Sequence, residues 1–145
     1  MKLNLDCVRD ILLCVEEHTG PRSRCVFVDT FQTESMRRMG LHTIEPADYQ
    51  INLMEKYDID EIMYHIKYCF EADLIVVVDG SSQYQQQIAD LTPKGHDFLA
   101  NIRNTSNWEK TKDVGKKVGA FGLNMAAKIA EGVATAYLNQ QLKLL

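Results

Sequence analysis

The chain has 145 residues, 46% of them hydrophobic and 25% charged, which excludes a disordered chain and suits one domain that buries a core without disulfides or metals. Its formal net charge of −4 argues against general phosphate neutralisation as its business, because nucleic-acid binders carry at least one basic face. A local basic patch stays open.

The N-terminal stretch MKLNLDCVRD carries charges where a secretory signal needs its apolar run. No run of about 18 uncharged apolar residues occurs, so no spanning helix and no membrane partner are expected. Cys7, Cys14, Cys25 and Cys69 form no CxxC pair and no zinc-ribbon spacing. Cys14 and His18 stand four apart, but without a second close pair no metal site is expected. The expectation is a cytoplasmic protein with reduced thiols.

NLDCVRDILLCVEEHTG opens the structured chain. Val8, Ile11, Leu12 and Val15 recur at helical spacing, Asn4 or Asp6 supplies a cap, and Gly20-Pro21 ends the helix. Residues 21–57 are less legible: RCVFVDTF reads as a short strand, YQINLM alternates like another, and TESMRRMGLHTIEPAD holds a helical turn or two before Gly40. In DIDEIMYHIKYCFEADLIVVVDG, Ile59, Ile62, Met63, Ile66 and Phe70 make an apolar helical face, and Asp58, Asp60 and Glu61 suit the positive end of its dipole. LIVVV is then a strand, DGSSQ a turn and YQQQIADL a polar-faced returning strand.

Helix, strand, turn, strand, helix is the order of a winged helix, with the hairpin as wing. In LTPKGHDFLANIR, Thr92 is a good N-cap and Pro93 suits the first helical position, while Phe98, Leu99 and Ile102 face the core. Gly95 permits close packing against the hairpin, and His96 reads as a packing or hydrogen-bonding residue near it. Catalysis by His96 would need a nucleophile or carboxylate partner, and Asp97 points about 100° away on a helix. After Trp108, WEKTKDVGKKVG carries Lys110, Lys112, Lys116 and Lys117; AFGLNMAAKIAEGVATAYLNQQLKLL is an alanine-rich helix with Leu123, Ala127, Ala130, Ala134 and Leu138 on one side. Its small residues permit close helix approach, so it is expected to mediate a homodimer.

MKLNLDCVRDILLCVEE, EIMYHIKYCFEADLI and LTPKGHDFLANIRNTSNWEKTK, in that order, resemble the blocks of a family of small uncharacterised proteins. That family, a domain of unknown function, occurs mainly in phages, prophages and mobile elements of Gram-positive bacteria. The resemblance implies a winged-helix-like fold and a mobile-element setting, and carries no established activity. EIMYHIKYCFEADLI also looks like the end of the recognition helix in winged-helix repressors, departing from it at Cys69-Phe70 and at Asp73, where glycine is usual.

The expected architecture is α+β: a winged-helix-like domain over residues 1–104 and a C-terminal helical extension over 105–145. The leading functional expectation is a non-enzymatic regulatory protein that binds double-stranded DNA through a helix-turn-helix-like unit. Its contact candidates are Tyr64, His65, Lys67 and Tyr68 off the apolar stripe, with Lys110, Lys112, Lys116 and Lys117. Against this, Asp58, Asp60 and Glu61 would repel phosphates, and DGSSQYQQQ lacks the cation a wing usually brings to a minor groove. The rival expectation is a protein-interaction module that binds a host or phage protein on the same scaffold. No P-loop, HExxH, G-x-S-x-G or dinucleotide fingerprint occurs, so no catalytic residue and no cofactor are expected. Thr92, Pro93, Gly95 and His96 are assigned to structure.

Overall fold

Asn4 starts the first helix, α1 (Leu5–His18), by accepting hydrogen bonds on Oδ1 from the amides of Asp6 and Cys7 at 3.1 and 3.3 Å. That satisfies two of the amide donors a helix start leaves without partners. Val8, Ile11, Leu12 and Val15 are fully buried, as their spacing predicts. The computed structural model describes residues 1–79, 81–82, 84–119 and 122–145, and divides the chain into two units, Met1–Pro93 and Lys94–Leu145. Among the described residues it is an α+β structure with seven helices and one three-stranded antiparallel sheet.

In the first unit α1 leads to strand β1 (Cys25–Val28), then to helices α2 (Thr30–Arg38), α3 (Asp48–Met54) and α4 (Ile59–Glu71), and to strands β2 (Ile75–Val77) and β3 (Gln85–Leu91). The sheet order is β1-β3-β2, so β3 lies between the two edge strands. Cys25 pairs with Ile88 and Ile75 with Leu91, and the β2–β3 register shifts at Val76/Val77. α1 packs on α4 and on the sheet, closing a core of Ile11, Leu12, Phe27, Ile62, Ile66 and Ile88.

YQINLM is helix α3 rather than a second strand. The alternation of Tyr49, Ile51 and Leu53 is compatible with either structure over so short a run. What decides it is the edge of β1. Ile51 is 47% exposed while Gln50 is fully buried, and neighbouring residues on one helix turn both reach the strand. Tyr49 Oη accepts from the Val26 amide at 2.7 Å and donates to the Val26 carbonyl at 3.0 Å. Gln50 Oε1 accepts from the Val28 amide at 2.9 Å, and its Nε2 donates to the Val28 carbonyl at 2.7 Å. Two side chains therefore stand in for a further strand, and the edge is covered.

α4 ends in a Schellman motif: the Leu74 amide donates to the Cys69 carbonyl and the Asp73 amide to the Phe70 carbonyl. The motif needs a left-handed residue, and Asp73 supplies it at φ 60°. The departure from glycine at this position thus keeps the glycine conformation, which aspartate tolerates better than most side chains. Thr92 Oγ1 donates to the Asp73 carbonyl at 2.5 Å, fastening the same turn to the end of β3.

The second unit holds α5 (Pro93–Ile102), α6 (Thr105–Val118) and α7 (Leu123–Leu142). Pro93 begins α5, with Phe98, Leu99 and Ile102 buried as predicted. Asn104 caps α6 by accepting from the Asn107 amide, and Gly119, at φ 74°, ends it. α6 and α7 pack together, with the small residues Gly115, Ala126 and Ala130 buried. Of the expected apolar side of α7, Leu123 and Ala130 are buried, whereas Leu138 is 55% exposed. Ala120 and Phe121, which the sequence places at the start of this helix, lie outside the described residues.

Candidate partner-binding surface

Asp58 caps α4 by accepting from the Glu61 amide at 2.8 Å, and Asp60 and Glu61 occupy the first turn. The side of α4 turned into the core is Ile62, His65, Ile66 and Cys69. The apolar stripe read from sequence is therefore rotated: Met63 is half-buried and Phe70 is 53% exposed. The histidine takes a core position because both its ring nitrogens are satisfied there, and the cysteine because a thiol packs as a small apolar group. His65 has no exposed surface. Its Nε2 accepts from the Asn4 amide at 2.8 Å and its Nδ1 lies 2.7 Å from the Glu61 carbonyl. That pair of partners fixes the neutral Nδ1–H tautomer. Asn4 Nδ2 donates to Glu61 Oε1 at 2.9 Å, completing a polar tie between the start of α1 and α4.

The opposite side of α4 shows Asp60, Tyr64, Lys67 and Glu71 to solvent. Lys67 Nζ lies 3.8 Å from Glu71 Oε1, one helical turn away. Tyr64 stands edge-on to the His65 ring at 5.1 Å, and Tyr68 is half-buried. Of the four residues singled out on this helix, Tyr64 and Lys67 thus share the solvent face; His65 is a structural tie within the core.

Between α4 and the β2–β3 hairpin lies an open groove of about 510 Å³. Met63, Phe70, Val77 and Val78 give it apolar walls, and Lys67 and Asp79 stand at its lining. Sequence reasoning assigned Met63 and Phe70 to the core. The signal that separates them is the width of the stripe: adding His65 and Cys69 makes the non-charged positions too many for one helix face. Of the hairpin tip DGSSQYQQQ, Gly80 and Gln83 lie outside the described residues. Gln87 accepts from Arg24 Nη1 at 3.0 Å, so this glutamine braces the sheet.

Charge is divided unevenly along the chain. Residues 1–93 hold sixteen acidic and eight basic side chains, a net −8, and residues 94–145 hold four acidic and eight basic, a net +4. The segment that builds the groove, residues 58–90, has seven carboxylates and a single lysine. On α6, Lys110, Lys116 and Lys117 are exposed. Lys112 is 21% exposed, 3.1 Å from Glu109 and above the Trp108 ring at 5.7 Å. Lys110 and Lys117 border a second, smaller groove of about 340 Å³ with Val114, Val133 and Tyr137.

Groups with reactive chemistry are turned to packing. All four cysteines are buried thiols. Burial pushes Cys69 up to about 12 and raises Cys7; a hydrogen bond with Cys25, then burial, raises Cys14. Each is thereby kept from the nucleophilic thiolate form. Tyr57 donates to Asp10 at 2.7 Å, and burial raises its phenol. Gly95 is buried in α5 and His96 is exposed there. Among the described residues no cluster of His, Cys, Asp and Glu is arranged to hold a metal, and no helix is long and apolar enough to cross a membrane.

The molecule is thus a small α+β protein with an open, apolar-walled groove beside an exposed helix face that carries Asp60, Lys67 and Glu71. Residues 2–121 match the family described as hypothetical protein (DUF2513), and the chain belongs to that family. An uncharacterized protein of Haemophilus influenzae strain Rd is 26% identical over 144 residues, spanning 98% of this chain and 99% of that protein. No solved structure matches.

Proposed function

We propose that this protein is a non-enzymatic regulatory factor that acts by binding another protein, on a first unit arranged as a winged helix. The order of elements supports the scaffold: α3 and α4 are consecutive helices joined by a short turn, followed by a hairpin whose second strand pairs with β1. In that arrangement α4 is the recognition helix and β2–β3 the wing. The observation that carries the choice of partner is the solvent face of α4. With Asp60 and Glu71 flanking Lys67, and Asp58 at the cap, it opposes phosphates and favours a protein with complementary charge. A phage or mobile-element setting makes a host or phage protein the natural target, and four buried thiols fit a reducing cytoplasm.

Binding to double-stranded DNA is the second reading. The observation favouring it is the trio of exposed lysines on α6, Lys110, Lys116 and Lys117, in a unit of net +4. The same unit supplies a dimer element in either reading: Leu138 and Leu142 on α7 are 55% and 54% exposed one turn apart. Chromatography on heparin separates the two readings. A protein binder elutes below physiological ionic strength; salt-dependent retention above about 150 mM that is lost in Lys110→Glu/Lys117→Glu overturns the proposal.

A further inference from the structure

We infer that the groove between α4 and the β2–β3 hairpin receives an amphipathic helical segment of the partner, with apolar side chains one turn apart and lysine or arginine beside them. This rests on the protein-binding reading and names the chemistry of what is bound. The groove wall on α4 is Met63 and Phe70, two turns apart on one side of the helix, with the buried Ile66 at its floor. Phe70 is 53% exposed on this wall, so apolar surface is on offer there. The cavity of about 510 Å³ is large enough to admit two or three aliphatic side chains.

Charge selects among apolar segments. At the groove itself Lys67 and Asp79 offset one another; beside it the exposed carboxylates Asp60 and Glu71 tip the balance, and Lys67 is itself drawn to Glu71 at 3.8 Å. Asp79 lies on the hairpin side, where it meets the flank of anything seated against Phe70. An acidic or neutral helix would bring no compensation for these carboxylates, whereas flanking cations gain from them and speed the encounter.

The test uses the full chain and two synthetic helical peptides of about 15 residues with leucine at i, i+4 and i+7, one with lysine on the remaining positions and its twin with glutamate. The lysine peptide is expected to bind about tenfold more tightly than its twin, and to weaken with salt. Amide shifts should centre on Met63, Phe70 and Val77. Phe70→Glu, at a solvent-exposed position, should weaken the lysine peptide about tenfold, and Asp79→Lys should narrow the gap between the twins. Equal binding of the twins, or shifts confined to α6 and α7, overturns the groove while leaving a protein-binding role standing. A concentration-dependent mass increase abolished by Phe70→Glu overturns the occupant, making it a second copy. Saturable duplex DNA binding that shifts the α4 amides overturns the protein-binding reading itself.

Discussion

Replacing Gln50 by leucine keeps the volume of the side chain and removes only its amide. In the native protein that amide makes both hydrogen bonds of Val28, at 2.9 and 2.7 Å, and Gln50 and Val28 are 0% and 2% exposed. After the change neither Val28 backbone group has the glutamine, and water has no route to them. Each buried group left without a partner costs about 1–3 kcal/mol. The leucine recovers about 1–2 kcal/mol through the transfer of apolar area, and the mid-range values leave a net loss of about 2.5 kcal/mol. Tyr49→Phe is the control. It removes two bonds of the same kind from Val26, which is only half-buried, so a cost of about 1 kcal/mol is expected. Urea unfolding followed by far-ultraviolet circular dichroism measures both losses, and hydrogen exchange at the Val28 amide locates them. Trp108, in the second unit, serves as an independent probe. A loss under about 1 kcal/mol for Gln50→Leu, or a Val28 amide as protected as before, refutes the account of β1 as a strand closed by helix side chains.

Four further outcomes follow from the same reasoning. Asp73→Gly relieves the left-handed aspartate at φ 60° and should raise stability by up to about 1 kcal/mol, read as a higher melting temperature. His65→Ala breaks the tie between Asn4 and α4 and opens a cavity, so a loss of about 2–4 kcal/mol is expected in urea unfolding. The Cys69 thiol is raised by burial from 9.0 to about 12, so the folded state holds this proton more tightly than the unfolded state. Its contribution is complete below about pH 9 and is lost as pH rises towards 12. Melting temperatures should therefore fall across that window, and less steeply in Cys69→Ala. Leu138→Gln/Leu142→Gln should lower the solution mass from dimer to monomer in light scattering; an unchanged mass removes the dimer element.

Helices whose apolar residues face one way were legible from sequence. Val8, Ile11, Leu12 and Val15 on α1, and Phe98, Leu99 and Ile102 on α5, are buried where their spacing puts them. α3 was not legible, because its decisive residue is a glutamine. Gln50 is buried by two hydrogen bonds to a strand 22 residues away, and periodicity of hydrophobicity carries no trace of such a bond. The rotation of α4 has the same origin. His65 and Cys69 read as polar or neutral in isolation, yet the long-range partner Asn4 makes His65 a core residue and frees Phe70 and Met63 for the groove. The surface site was hidden by that exchange, while the acidic start of α4 was visible in Asp58, Asp60 and Glu61.

The central claim is that the exposed face of α4 and its groove recognise protein rather than nucleic acid. Two separate titrations of the full chain at about 150 mM salt address it directly, one with the lysine peptide and one with random duplex DNA, each followed through the α4 amide shifts. Saturable peptide binding that moves these amides is expected, with no saturable DNA binding at concentrations up to about 100 μM, the weak end of non-specific association. Saturable duplex DNA binding in the low micromolar range that moves the same amides and is lost in Phe70→Glu would contradict it.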